Sequence, residues 1–303
     1  MKRDFLAIPD FTRDELIETI YLARELKTLT RFGKCPKPLD GKSVGLIFHK
    51  PSLRTRISFE VGVSQLGGNA VYITDAEIKL GVRESIHDAA KVLSRYLGMI
   101  MIRTFKQSDV EELAKYSTVP VINGLTDLLH PCQVVCDLLS VLEKKGRIED
   151  LKIAYLGDGN NMTNSWLNAS RLLKLDLRIG TASDCEPDQG ILELAKSTGV
   201  SKITMINDPR EAVTDADVVY TDVWASMGQK DKIAEKEAKL RNFQINSRLL
   251  EYASKDVIVM HCLPAERGRE ITDEVMDGPH SVVFDEAENR LHAQKAILSL
   301  IMG

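Results

Sequence analysis

Five short stretches of this chain carry residue types that do chemistry. The first is Lys50-Pro51-Ser52-Leu53-Arg54-Thr55-Arg56, which follows the apolar run SVGLIF (43–48) and leads into a helical pattern with Phe59, Val63 and Leu66. Hydroxyls and arginines at a helix start make an anion site: backbone N–H groups and the helix dipole favour phosphate, and an arginine fork grips it at two points. The nucleotide-binding pattern GxxxxGK[ST] is absent. The bland reading is an N-cap serine with two solvated arginines. The second stretch is Leu129-His130-Pro131-Cys132-Gln133. Pro131 suits the first turn of a helix, which leaves His130 and Gln133 to donate toward a carbonyl oxygen, although a lone histidine there is more often structural.

The third stretch, Gly157-Asp158-Gly159-Asn160-Asn161, follows KIAYL. A glycine-rich turn from strand to helix invites a dinucleotide, but Met162 stands where GxGxxG needs its third glycine. The paired asparagines suit a small polar ligand instead. The fourth is Asp222-Val223-Trp224-Ala225-Ser226-Met227-Gly228, a carboxylate at a strand end that either meets an ammonium group or caps a loop. The fifth is His261-Cys262-Leu263-Pro264. Cysteine beside histidine suggests a nucleophile. Neighbours on a strand point to opposite faces, so the two are poor direct partners, and Cys262 reads as a polar or proton-handling contact.

These stretches need elements to position them. SVGLIF, AVYIT (70–74), MIMIR (99–103) and VPVIN (119–123) read as buried strands, with an amphipathic helix over 84–97. A second series follows: KIAYLGD (152–158), LRIGTAS (177–183), KITMIND (202–208), DVVYTDV (217–223) and DVIVMHC (256–262), separated by helices over 189–198 and 243–254. A long helix over 132–146 lies between the two series, and an apolar helix from about Asn289 to Met302 ends the chain. Strand–helix alternation in two series predicts an α/β protein of two doubly wound parallel-sheet domains, with the active site in the cleft between them. The expected boundaries are 1–135 with a C-terminal helix of about 286–303, and 136–285. Every chemical stretch falls at the carboxyl end of a strand, where open α/β sheets bind ligands.

Composition narrows the class. With 303 residues, 44% of them hydrophobic and 28% charged, the chain has material for two cores and none of the signature of disorder. Forty basic against 44 acidic residues leave no footprint for nucleic acid. No apolar run approaches the ~20 residues that span a membrane. The start, MKRDFLAIPDF, turns acidic at once and shows no signal peptide. Five scattered cysteines without a CxxC pair read as reduced thiols in a cytoplasmic protein, not as a zinc framework, and no spacing suggests a metal site.

In this order, S-x-R-T-R, H-P-x-Q, D-G-N-N, D-x-W-x-S-M-G and H-C-L-P closely resemble the ornithine carbamoyltransferase family over essentially the whole chain. The resemblance implies transfer of the carbamoyl group of carbamoyl phosphate to the δ-amine of L-ornithine, giving citrulline and phosphate in arginine biosynthesis or urea-cycle chemistry. It implies a homotrimer or an assembly of trimers, with no metal or organic cofactor. Matched residue by residue, Ser52, Leu53, Arg54 and Thr55 would hold the phosphate, and Arg103, Thr55, His130 and Gln133 the carbamoyl moiety. Asn161, Asp222, Ser226 and Met227 match the ornithine site, Cys262 and Leu263 the catalytic segment, and Arg290 a late phosphate-side arginine that would return the last helix to the first domain. Lys79 falls in a loop that in the family reaches a neighbouring subunit's phosphate, where His or Gln is common.

The residue types agree with that chemistry. A neutral amine attacks a carbonyl, an oxyanion develops and phosphate leaves, which calls for donors and cations at the oxygens and a positioned amine. Arg103, His130 and Thr55 suit the oxyanion, Arg54 the phosphate, and Asp222 the α-ammonium or the orientation of Cys262. The alternatives are sister carbamoyltransferases acting on aspartate, N-acylated ornithine or putrescine, an NAD-dependent dehydrogenase, and a non-catalytic anion-binding protein. Asp222 disfavours the aspartate and N-acylated substrates, and the Ser226-Met227-Gly228 loop disfavours putrescine.

Overall fold

The computed structural model describes residues 2–225 and 233–302, and the chain folds into two compact units. Unit 1 is Met1–Leu139 with Glu288–Gly303, and unit 2 is Ser140–Ala287.

Unit 1 is built on β1 (Ser43–Phe48), β2 (Asn69–Thr74), β3 (Met99–Arg103) and β4 (Val121–Leu125), all parallel, in the order β2-β1-β3-β4. The runs are almost continuously apolar because a parallel sheet is covered on both faces. Every residue of β3 is buried, Arg103 included. Ile47, Ile100 and Ile102 pack with Ala89, Ala90 and Leu97 from the helix Ile86–Tyr96 and its end. The fourth strand starts two residues later than the sequence suggests. Pro120 has no N–H to give, and the N-terminal segment lies along the strand instead: Phe5 N donates to Val121 O and Asn123 N to Phe5 O.

Unit 2 is built on β5 (Leu151–Leu156), β6 (Leu175–Gly180), β7 (Lys202–Ile206), β8 (Val218–Thr221) and β9 (Ile258–His261), again all parallel, in the order β7-β6-β5-β8-β9. Ala154, Leu156, Val219 and Val259 pack with Trp224 and Phe243 in its core. The helix expected over 243–254 is not formed. Ile245 N donates to Glu270 O and Thr272 N to Ile245 O, which locks Ile245 in an extended bridge. Asn246 Oδ1 then accepts from Leu249 N and starts a fresh helix of only four residues, Ser247–Leu250.

Both sheets have a switch point, where successive connections leave in opposite directions. In unit 1 the chain runs from β1 out to β2 and then back across to β3; in unit 2 it runs from β5 out to β6 and β7 and then back across to β8. Ligands of open α/β sheets bind at such points. Two long helices cross the unit boundaries in sequence: Pro131–Lys145, and Val283–Met302, which starts six residues before the expected Asn289. Among the described residues no helix is long and apolar enough to cross a membrane.

Candidate active site residues

At the switch point of unit 1, Ser52 caps the helix Leu53–Gln65: its Oγ accepts from Thr55 N at 3.3 Å, an interaction typically worth ~1 kcal/mol. The same hydroxyl donates to Thr55 Oγ1 at 3.0 Å. Thr55 is fully buried, and two guanidiniums converge on its oxygen: Arg290 Nη2 at 2.7 Å and Arg103 Nη1 at 3.4 Å. Arg290 is 4% exposed, and among the described residues no carboxylate lies within ion-pair distance of it. A buried guanidinium without a counter-ion is costly until an anion arrives. Leu53 and Arg54 form the first turn of the helix, where backbone N–H groups have no intrahelical acceptor.

His130 precedes the helix Pro131–Lys145 and is 4% exposed. Burial, then Arg290, then Arg103 push its pKa well below the ordinary histidine value, so near neutrality it is the uncharged imidazole. Gln133 Nε2 donates to buried Asp137 one turn on, at 2.7 Å. The structure therefore brings Ser52, Thr55, Arg103 and Arg290 into direct contact and sets His130 within electrostatic reach. Lys79 stands apart and exposed, following the short helix Asp75–Ile78. Its φ of 41° is left-handed, a conformation that costs a lysine energy.

At the switch point of unit 2, Asn160 rather than Asn161 does the joining. Asn160 Oδ1 accepts from Met162 N at 2.9 Å and Tyr155 Oη at 3.1 Å, while its Nδ2 donates to Asp222 Oδ2 at 2.7 Å. Asp222 Oδ1 accepts from Val223 N at 2.8 Å and from the Cys262 thiol at 3.1 Å. Asp222 is 7% exposed, and no cation pairs with it among the described residues. Asn161 is buried as the first residue of the helix Asn161–Ala169. Ser226 and Met227 lie outside the described residues. Gly159 answers the dinucleotide reading: a Cβ there would lie 2.2 Å from the Glu186–Pro187 backbone, so the chain itself fills the approach a pyrophosphate would need.

Three residues of this half have no motif in the sequence. His261 Nδ1 accepts from Leu263 N at 2.9 Å, which fixes Nε2 as the protonated nitrogen donating to Glu270 Oε1 at 3.0 Å. His261 N donates to Glu286 Oε2 at 3.0 Å. Glu270 and Glu286 are both buried, and they hold the segment that presents Cys262 and Leu263, whose φ of 59° is left-handed. Lys236, on the helix Ile233–Leu240, pairs with Asp158 at 2.5 Å. The potential ligand atoms of Asp222, His261 and Cys262 lie within 4.8 Å of one another, a juxtaposition the sequence spacing did not suggest. Both ring nitrogens of His261 are already engaged, so a metal there would have to displace the Leu263 N–H or the Glu270 carboxylate. A separate surface cavity of about 590 Å³, bordered by Arg210, Asn242 and Arg248, contains none of these residues.

Two parallel α/β sheets, each with polar groups gathered at its own switch point, match a single family over the whole chain. The chain belongs to the aspartate/ornithine carbamoyltransferases: the family's carbamoyl-P binding domain matches residues 3–143 and its Asp/Orn binding domain residues 149–301. Among similar proteins, the ornithine carbamoyltransferase of Syntrophus aciditrophicus is 52% identical over the full length of both chains. That of Geobacter sulfurreducens is 51% identical, again over the full length of both. The solved ornithine carbamoyltransferase from Pyrococcus furiosus superposes with a TM-score of 0.95 at 47% identity, covering 100% of this chain and 97% of that one.

Proposed function

We propose that this chain is an enzyme that transfers the carbamoyl group of carbamoyl phosphate to the δ-amine of L-ornithine, giving L-citrulline and phosphate, as in arginine biosynthesis. The observation that carries the choice of acceptor is Asp222: a buried carboxylate with no cation beside it among the described residues fits the α-ammonium of ornithine and repels the second carboxylate of aspartate. Full-length relatives at about half identity support the same reading.

In this reading unit 1 holds carbamoyl phosphate. Ser52, Leu53, Arg54 and Thr55 at the helix start, with Arg290, bind the phosphate. Arg103, Thr55, His130 and Gln133 face the carbamoyl oxygen. Uncharged His130 donates a hydrogen bond without adding charge, and Arg103 stabilises the oxyanion as it develops. Unit 2 holds ornithine through Asn161, Asp222, Ser226 and Met227, with Cys262 and Leu263 as its catalytic segment. The δ-nitrogen lone pair forms the new C–N bond, the C–O bond to phosphate breaks, and the nitrogen releases a proton.

The enzyme works as a homotrimer or an assembly of trimers in the cytoplasm. Leu53, Ile57 and Val61 support that assembly: they lie four residues apart on one helix and are 73%, 49% and 38% exposed, an apolar stripe suited to a second copy. Exposed Lys79 would reach the phosphate site of the neighbouring copy as a point charge.

The test is a citrulline-type assay of the purified protein with carbamoyl phosphate and, in turn, ornithine, N-acetylornithine, putrescine and aspartate. Ornithine alone should give rapid product, and kcat/KM should rise from neutral into alkaline pH because the attacking amine must be neutral. Faster turnover of any other amine would replace ornithine with that acceptor.

A further inference from the structure

Asp158 and Asp222 end adjacent strands, β5 and β8, whose last paired residues are Leu156 and Thr221. Both residues are buried. They sit close enough that the charge of Asp222 disfavours ionisation of Asp158. A site for ornithine therefore contains two acids, although the reactive substrate presents only one ammonium. Lys236 resolves the count. Its ammonium reaches Asp158 Oδ2 at 2.5 Å from a helix 78 residues away in sequence, and both side chains are largely buried, at 19% and 10% exposure. The same helix is tied a second time, by Lys239 to Asp184 at 2.5 Å, on the loop after β6.

Accepting the function proposed above, we infer that Lys236 is a positioning residue for the amino-acid substrate: by pairing with Asp158 it leaves Asp222 as the one carboxylate open to a substrate ammonium. Ornithine has two amino groups. The α-amino group must be held as an ammonium, and the δ-amino group must lose its proton to attack. A second unpaired carboxylate would stabilise the δ-ammonium, which is the unreactive form, or bind the substrate in reverse. The groups facing Asp158 are Lys236 from its helix, Asp222 at the end of β8, Tyr155 on β5 and Cys185 after β6. Among the described residues, Lys236 is the only cation in this group. Burial raises the Asp158 pKa, and the hydrogen bond and charge of Lys236 oppose that rise.

The experiment is steady-state kinetics of Lys236→Met, Lys236→Arg and the double variant Asp158→Asn/Lys236→Met across pH 6.5 to 9.5. Melting temperature and carbamoyl phosphate affinity are recorded for each. Lys236→Met should lower kcat with ornithine about tenfold without raising its KM, as unproductive binding does, and move the rising limb of kcat against pH upward by at least ~0.5 pH unit. Carbamoyl phosphate affinity should stay within about twofold. Lys236→Arg should restore both values. The double variant should regain most of kcat with ornithine, because it removes the surplus carboxylate along with its partner. An unshifted pH limb in a folded Lys236→Met overturns the inference, as does a double variant no better than the single one; either result would make the pair a mere strut. If the wild-type protein itself makes no citrulline from ornithine, the functional reading falls and this inference falls with it.

Discussion

The two units solve one problem with opposite charges. Each has a parallel sheet with a switch point, and each uses the residues just beyond its strand ends. In unit 1 those residues are cations around a neutral hydroxyl: Arg103 and Arg290 on Thr55 Oγ1, with His130 kept uncharged beside them. In unit 2 they are carboxylates among amides and a thiol: Asp222 held by Asn160 and Cys262, with Asp158 neutralised by Lys236. Topology fixes where a ligand binds and side-chain charge fixes which ligand it is. In the function proposed here, a dianionic phosphate goes to the first set and an amino acid with an ammonium to the second.

That contrast can be broken most severely at Arg103. Arg103→Met removes a buried cation proposed above to meet the developing oxyanion, and kcat should fall about 10²- to 10³-fold. Rapid-quench or steady-state assays of the folded variant would measure it; a loss below tenfold would take Arg103 out of the reacting centre.

The next effect concerns whether unit 1 is complete in one copy. Lys79→Ala and Arg54→Ala should each cost about 30- to 100-fold, the worth of a charge-assisted contact to phosphate. Denatured together and refolded, the two inactive variants should recover part of the wild-type rate, since some neighbouring copies then pair an intact Lys79 with an intact Arg54. If neither separate refolding nor mixing restores activity, Lys79 acts within its own chain.

The smallest effect is on stability against pH. Burial lowers the pKa of His130 well below its ordinary value and that of His292 to about 3, so the folded state binds fewer protons than the unfolded state. Their stabilisation is present above the unfolded value of ~6.5 and is lost as pH falls from there toward the folded values, at up to about 1.4 kcal/mol per pH unit for each group. Asp158 acts in the other sense, since its raised pKa makes acid relieve its burial. Melting temperature should therefore drop from pH 6.5 to 4, and His292→Gln should flatten the slope. An unchanged slope in that variant would remove His292 from the explanation.

The sequence made the strands legible because buried parallel strands are unbroken apolar runs, and it singled out the candidate residues because serines, arginines and acids at strand ends stand out. It gave no sign that Asn160, beside the expected ornithine-site Asn161, holds Asp222, because only the cap geometry decides which of two adjacent amides turns back. It gave no sign of Glu270 or Glu286, whose use depends on a backbone N–H and a ring nitrogen brought to them by the fold. It gave none of Lys236, an ordinary lysine in a charged helix until Asp158 is placed against it. The helix expected over 243–254 failed for a related reason: apolar spacing cannot reveal that Ile245 will pair with the backbone near Ile271.

The division of charge is tested most directly by calorimetric titration of two variants with two ligands. Arg54→Ala should weaken carbamoyl phosphate about 30- to 100-fold and change ornithine little, while Asp222→Asn should weaken ornithine by a similar factor and leave carbamoyl phosphate within about twofold. Equal losses for both ligands in either folded variant would contradict the account, because the two units would then not be choosing their ligands separately.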